Sequence, residues 1–300
     1  MHSLRSSKIL SRKFLSRKRS KICTQDLSKA GKLMSAGLQV KVGTPFFRSV
    51  PWDEPPENVG KLSYPPKNRV KKQGRCNEVG ETVLYVSTDK AAIFAEQKDL
   101  KVGKTYAISE WRTKTELQTA LVGFPPNHPL LAKYNLPSDC DSALLWNSIF
   151  NRCFRKKGSG LYPQTVAIYK NFINSGITKD GNPRPTAVIY PSVDHPNPNT
   201  LAINLACNDI VADNCFEFVH ASFVKITSIS NTGVEFTTLE EGDDIDANGH
   251  IQWKRIFTLP VDIAKDITKV VIPSAKAHPI GVSASGEETP LEYHLSSVKY

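Results

Sequence analysis

Between Pro51 and Pro66 the chain places five prolines in sixteen residues, at positions 51, 55, 56, 65 and 66. Proline fixes φ, lacks an amide donor and restricts the residue before it, so neither a regular helix nor a central strand survives that density. The stretch reads as a long irregular loop, and long loops inside a domain are commonly functional. A short apolar entry, Pro45-Phe46-Phe47-Arg48-Ser49-Val50, leads into it, and it ends at Gly74-Arg75-Cys76-Asn77, with Gly80 just beyond.

Regular structure is expected after this loop. Thr82 to Ser87 has the β-branched and aromatic content of a strand, with Val83, Tyr85 and Ser87 on one face and Leu84 and Val86 on the other. Thr88 or Asp89 can cap a helix running from Lys90 to about Lys98. Strands are expected within 103–123, before Pro125, Pro126 and Pro129. Helical spacing covers Ala143 to Phe154 and Tyr162 to Asn174, the second with Gly176 as a C-cap. A polar loop over 179–185 precedes a strand at Ala187, and further strands are expected at 201–205, 218–229 and 234–238. An acidic turn, Glu240 to Asp246, then leads to a strand from Ile251 to Phe257. No apolar run approaches the ~18 residues that span a bilayer, and no internal repeat is visible.

The net charge of +10 raises the question of nucleic acid, but its distribution argues against a role for the folded body. Residues 1–41 hold eleven Lys or Arg against Asp26 alone, and the remainder holds 28 basic and 28 acidic residues. A body that gripped a duplex would carry basic residues beyond charge balance. The Ser/Lys/Arg-rich segment is read as a flexible basic tail over 1–44. Its composition also fits a transit peptide, or an electrostatic tether to acidic lipid or nucleic acid. No apolar stretch of the kind a secretory signal needs follows its charges.

Six cysteines, at 23, 76, 140, 153, 207 and 215, form no CxxC, and the seven histidines stand singly. Free thiols in a reducing, cytoplasmic setting are expected, with no metal site. His195 and His220 are read as structural. The P-loop, the Rossmann GxGxxG, the GxSxG elbow and HExxH are all missing, so the familiar hydrolase and nucleoside-triphosphate chemistries lack support.

An ordered constellation remains. It runs Phe-Phe-Arg (Arg48), Leu-Ser-Tyr-Pro-Pro-Lys (62–67), Gly-Arg-Cys-Asn-x-x-Gly (74–80), Leu-Tyr-Val-Ser (84–87), Ala-Glu (Glu96), Tyr-Pro-Gln-Thr (162–165) and Tyr-Pro-Ser-Val (190–193). In this order and spacing it resembles the RES domain family, over about residues 45–210. The resemblance implies an α+β fold, a mixed sheet core with flanking helices similar to ADP-ribosyltransferase toxins. It implies an NAD-degrading toxin, acting as NAD phosphorylase or NAD glycohydrolase, with an antitoxin or immunity protein as partner. NAD would be the substrate, inorganic phosphate a possible co-substrate, and no other cofactor is implied. The matching positions are Arg48, Arg75, Tyr85, Glu96 and Ser192, with Asn77 beside Arg75 at the NAD site. The organisation expected is a tail over 1–44, a catalytic domain over 45–230 and a C-terminal extension over 231–300 packed on the same domain.

The residue types suit that chemistry. Guanidinium groups present forked donors to a pyrophosphate, and two, Arg48 and Arg75, can clamp one. Breaking the nicotinamide–ribose bond develops oxocarbenium character, which a carboxylate such as Glu96 stabilises. Tyr85 offers an aromatic face, and Ser192 a hydroxyl for ribose or carboxamide. Taken singly, each residue has a plainer reading. Arg48 can pair with Asp53 or Glu54 at the surface, and the 74–80 glycines can serve a turn needing φ > 0. Tyr85 can be a core residue, Glu96 a solvated helix residue and Ser192 the end of a strand. Mono-ADP-ribosyl transfer would use the same site, and a non-enzymatic binding protein acting through its basic tail is a further alternative.

Overall fold

The alternation read at 82–87 is realised as a strand whose two faces feed two different cores. In a computed structural model the described residues are 2–19, 21, 23, 25, 36–97, 99–124, 141–156, 158–173, 185–192, 203–230, 233–256, 268–271, 280–282 and 288–290. The Gly176 cap, the proline break after 124, Cys140, Val193, His195 and most of the 179–185 loop lie outside them.

The strands are β1 (Ala36–Val40), β2 (Pro45–Pro51), β3 (Val83–Ser87), β4 (Thr105–Thr113), β5 (Leu117–Leu121), β6 (Ala187–Pro191), β7 (Ile203–Asn208), β8 (Phe216–Ser230), β9 (Gly233–Ile245), β10 (Ile251–Arg255) and β11 (Thr268–Val271). The helices are α1 (His2–Ser16), α2 (Lys90–Ala95), α3 (Asp141–Arg155), α4 (Tyr162–Ile173) and α5 (Asp209–Cys215). The architecture is α+β. One large mixed sheet runs β1-β5-β6-β7-β3-β2-β4-β8-β9-β10, with β11 also on β9, and β5–β6 is its parallel pair. A small separate pair joins β12 (Ile280–Val282) to β13 (Glu288–Pro290).

Period-two alternation distributes the central strands between two cores. Val83, Ala206, Val188 and Tyr190 face α3 and α4, where Trp146, Phe150, Phe154, Ile168 and Phe172 are buried. Leu84, Val86, Leu205, Cys207 and Ile189 face the other way, toward Phe46, Trp111, Phe216 and Phe223. Large side chains of this kind contribute roughly 1.5–3 kcal/mol each on full burial. A third cluster seats α2 on β4, β8 and β9 through Ile93, Phe94, Tyr106, Ile108, Val224 and Phe236.

Within the segment expected as a flexible tail, 1–44, the structure places α1 and β1. Phe14 is fully buried, with its ring 5.5 Å from that of Trp146 in an edge-on contact. The Gln164 amide donates to the carbonyls of Phe14, Leu15 and Arg17, capping the end of α1. β1 pairs along β5, Ala36 opposite Leu121. Charge dominated the sequence reading, but Leu10 and Phe14 stand four apart on one helix face, enough to dock it.

The acidic turn expected at Glu240–Asp246 is also corrected. Glu240 to Ile245 continue β9 against β10, and the turn follows at Asp246–Gly249. There the Asp246 carboxylate accepts from the amides of Asn248 and His250, and Gly249 takes φ +79°. β9, β10 and β11 extend the same sheet as the strands before residue 230. Among the described residues, no helix is long and apolar enough to cross a membrane.

One junction differs from the rest. β2 follows β4 from Pro45 opposite Arg112 to Pro51 opposite Tyr106, and β3 follows β7 from Val83 opposite Asn208 to Ser87 opposite Asn204. Between β2 and β3, Phe47 opposite Ser87 is the register pair. The sheet is parted along this line.

Candidate active site

Where β2 and β3 part, a pocket of about 210 Å³ opens, lined by Arg48, Ser49, Tyr85, Ser87, Glu96, Gln97, Tyr190 and Asn204 among others. Four of the six residues singled out in the sequence, Arg48, Tyr85, Glu96 and Ser192, meet here, the last through Glu96. Arg75 and Asn77 stand behind the wall.

Glu96 is placed by α2. Asp89 caps the helix by accepting from the Ala91 amide, as its sequence position suggested. The helix ends at Ala95, short of the expected Lys98, so Glu96 is its C-cap. Ser49 Oγ donates to the Ile93 carbonyl at 3.1 Å, and the Gln97 amide donates to Ser49 Oγ at 2.8 Å and Ser49 O at 3.2 Å. These bonds tie α2 to β2 and bring Glu96, an exposed residue, to the pocket mouth. There Glu96 Oε1 accepts from Ser192 Oγ at 3.0 Å and from the Asn204 side-chain amide. Two donors on one oxygen fix the carboxylate's orientation. The hydroxyl that the sequence reading aims at the ligand is thus in contact with Glu96.

Arg48 reaches from β2 to the proline-rich loop, donating through Nη1 to the Leu62 carbonyl at 2.9 Å. It makes no ion pair with Asp53, Glu54 or any other carboxylate of the described residues, so the plainer surface-pair reading is not realised. Burial lowers the guanidinium to about 10, which leaves it charged at neutral pH. A partly desolvated cation with no counter-charge among the described residues and donors to spare has the chemistry to hold an anion.

Tyr85 presents its ring to the pocket and spends its hydroxyl behind it. The hydroxyl donates to Asn77 Oδ1 at 2.9 Å and accepts from the Cys76 amide at 2.8 Å. Burial pushes the phenol well above its usual range, so it stays neutral. Asn77, 5 % exposed, is thus a support for Tyr85. Gly74 closes the loop by donating its amide to the Asn77 carbonyl at 3.0 Å. A Cβ on Gly74 would lie 2.2 Å from Asn77 Oδ1 and 3.0 Å from the Tyr85 hydroxyl. Close approach explains this glycine; φ > 0 applies at Gly80, at +78°. Gly74→Ala is expected to cost about 1–3 kcal/mol of stability, typical of overpacking, and to displace Tyr85. A melting curve indistinguishable from that of the unmodified protein would refute the close fit.

Arg75, expected to share the clamp with Arg48, is placed away from it, outside the pocket lining. Its Nη1 donates to the Phe154 carbonyl in the last turn of α3, and its guanidinium lies 5.8 Å from the Tyr162 ring and 5.9 Å from the Tyr190 ring. A cation at a helix C-terminus, between two aromatic faces, is a stabilising arrangement. It backs Tyr190, which is a pocket wall, but it does not itself line the pocket.

Asn204, Tyr190, Ser49 and Gln97 were missed. For Asn204 the signal was available: an amide within Ile203-Asn204-Leu205-Ala206, 5 % exposed and unlike its apolar neighbours.

No protein-family model matches the chain, and no curated protein matches it. Among solved structures, it is similar to a chain of the M. tuberculosis MbcT–MbcA toxin–antitoxin complex. The two share 11% sequence identity with a TM-score of 0.34, over 67% of this chain and 91% of that one.

Proposed function

We propose that the chain is a RES-type enzyme that cleaves the nicotinamide–ribose bond of NAD. One observation carries this reading: a guanidinium without a counter-charge among the described residues and a carboxylate held by two donors share one pocket walled by tyrosine rings.

In this reading Arg48 holds the pyrophosphate, and the rings of Tyr85 and Tyr190 confine the nicotinamide ribose. As the C1′–N bond breaks, its electron pair passes to the pyridinium nitrogen and nicotinamide leaves as a neutral ring, with no proton to be delivered. The positive charge that develops on the ribose faces Glu96, whose orientation is already set by Ser192 and Asn204, so little reorganisation is needed during the reaction. Water or inorganic phosphate then attacks C1′, the water losing a proton. ADP-ribose or its 1-phosphate is the product. A toxin of this kind requires a partner that keeps the pocket closed in its host.

The test is incubation of the protein with NAD, with and without phosphate, following nicotinamide release. Release that depends on phosphate identifies a phosphorylase, and release without it a glycohydrolase. Undiminished NAD at high protein concentration would sink the proposal. Labelled ADP-ribose fixed on a macromolecule would move the reading to transfer.

A further inference from the structure

The charge balance of the body conceals a separation that the fold makes visible. Residues 2–25 hold eight Lys or Arg and no Asp or Glu, and residues 142–179 hold six and none. The fold sets these two stretches side by side. Phe14 of α1 packs its ring 5.5 Å from that of Trp146 on α3, and Cys23 and Cys153 are buried in the same cluster. That cluster also holds Val83, Val188 and Ala206, so the helical flank covers the β3, β6 and β7 part of the sheet. Glu240, Glu241, Asp243 and Asp244 lie on β9, toward one end of the strand order.

Lys8, Arg12, Lys13 and Arg19 from the first stretch, and Arg152 and Arg155 from the second, are exposed. None of the six joins an ion pair among the described residues. Elsewhere on the surface, Lys61, Lys67 and Lys254 each meet a carboxylate. A positive surface built on two packed helices, without internal counter-charge, fits a negatively charged one.

The details favour lipid headgroups. With about 100° between successive helical residues, Ile9 falls in the middle of the α1 face turned away from buried Ser11 and Phe14. Lys8 and Arg12 stand to one side of it and Lys13 to the other. Ile9 is 53% exposed. An isoleucine ringed by cations suits a lipid interface, where it enters the acyl boundary while the cations hold headgroups. Among the phosphates of a nucleic acid it would only displace their hydration. Phe14, Trp146, Phe150 and Phe154 are all buried, so the rings of α1 and α3 offer bases no stacking platform. We propose that this helical flank seats the protein peripherally on an anionic lipid surface. With Phe14 committed to the body, α1 has no apolar stripe left to insert, so the attachment is electrostatic and is weakened by salt. It is independent of the NAD chemistry.

The probe is co-sedimentation of the full chain with phosphatidylcholine vesicles, either pure or containing one third phosphatidylglycerol. Binding to the anionic vesicles alone, lost as salt is raised, is the expected result. Removing three charges on α1, with Lys8→Gln, Arg12→Gln and Lys13→Gln, should lower the partition coefficient at least tenfold. Removing two on α3, with Arg152→Gln and Arg155→Gln, should lower it severalfold. The α3 pair separates a two-helix surface from a basic leader acting alone. All five positions are exposed, and melting curves verify that the variants fold; if a multiple variant melts early, Arg12→Gln and Arg155→Gln singly carry the test. Equal binding to both vesicles, no binding to either, or an α3 variant that partitions like the unmodified protein overturns the proposal. Tighter binding to a random-sequence DNA duplex than to the anionic vesicles also overturns it, and moves the surface to nucleic acid.

Discussion

Glu96→Gln is expected to lower kcat for nicotinamide release by about 10²–10³-fold, the loss typical of removing one preorganised electrostatic partner of a transition state, with KM nearly unchanged. Glutamine keeps the shape and an oxygen for the Ser192 and Asn204 donors, so the substitution removes charge with little change in packing. In the proposed reaction the charge is needed only as the ribose becomes cationic, so the loss should fall on kcat. Single-turnover kinetics with saturating NAD measures it directly. A Glu96→Gln protein that turns over at the original rate would remove Glu96 from the chemistry.

Arg48→Ala should lower kcat/KM for NAD by roughly 10- to 100-fold or more, because a charge-assisted hydrogen bond contributes about 1.5–3 kcal/mol. The loss should appear in KM as well as kcat, since in the proposed reading the pyrophosphate is held in ground and transition states alike. The substitution also strips the Leu62 carbonyl of its donor, so part of the effect passes through the proline-rich loop. Arg48→Lys separates the two: an ammonium restores the charge but not the forked geometry that serves the loop and a phosphate together. Partial recovery by lysine is the expected result. Kinetics of Arg48→Ala matching those of the unmodified protein would show that the guanidinium holds nothing of the substrate.

The sequence spoke most clearly where local chemistry decides. The β3 alternation, the Asp89 cap and the periodic apolar faces of α3 and α4 are each written in a few neighbouring residues. The parted sheet was not legible, because strand order depends on pairings between residues such as Phe47 and Ser87, forty positions apart in the chain. Arg48, Tyr85 and Glu96 were found as types in an ordered pattern. Their division of labour was not, because it depends on which neighbour takes which hydrogen bond. Arg75 shows the limit. An arginine in a glycine-flanked loop suits a phosphate clamp as well as it suits a helix cap, and nothing local in the sequence places the Phe154 carbonyl that Arg75 meets. α1 was hidden for another reason: eleven basic residues in the first 41 drew attention from Leu10 and Phe14.

The parted sheet has one more consequence. Unzipped strand edges are templates on which a foreign chain can add itself, and proteins ordinarily guard against this at their periphery. Here the two loose edges face one another in the interior, and Gln97 occupies the Ser49 carbonyl on one of them. The molecule thus keeps these unpaired backbone groups within the sheet, beside a pocket, and away from its outer edges.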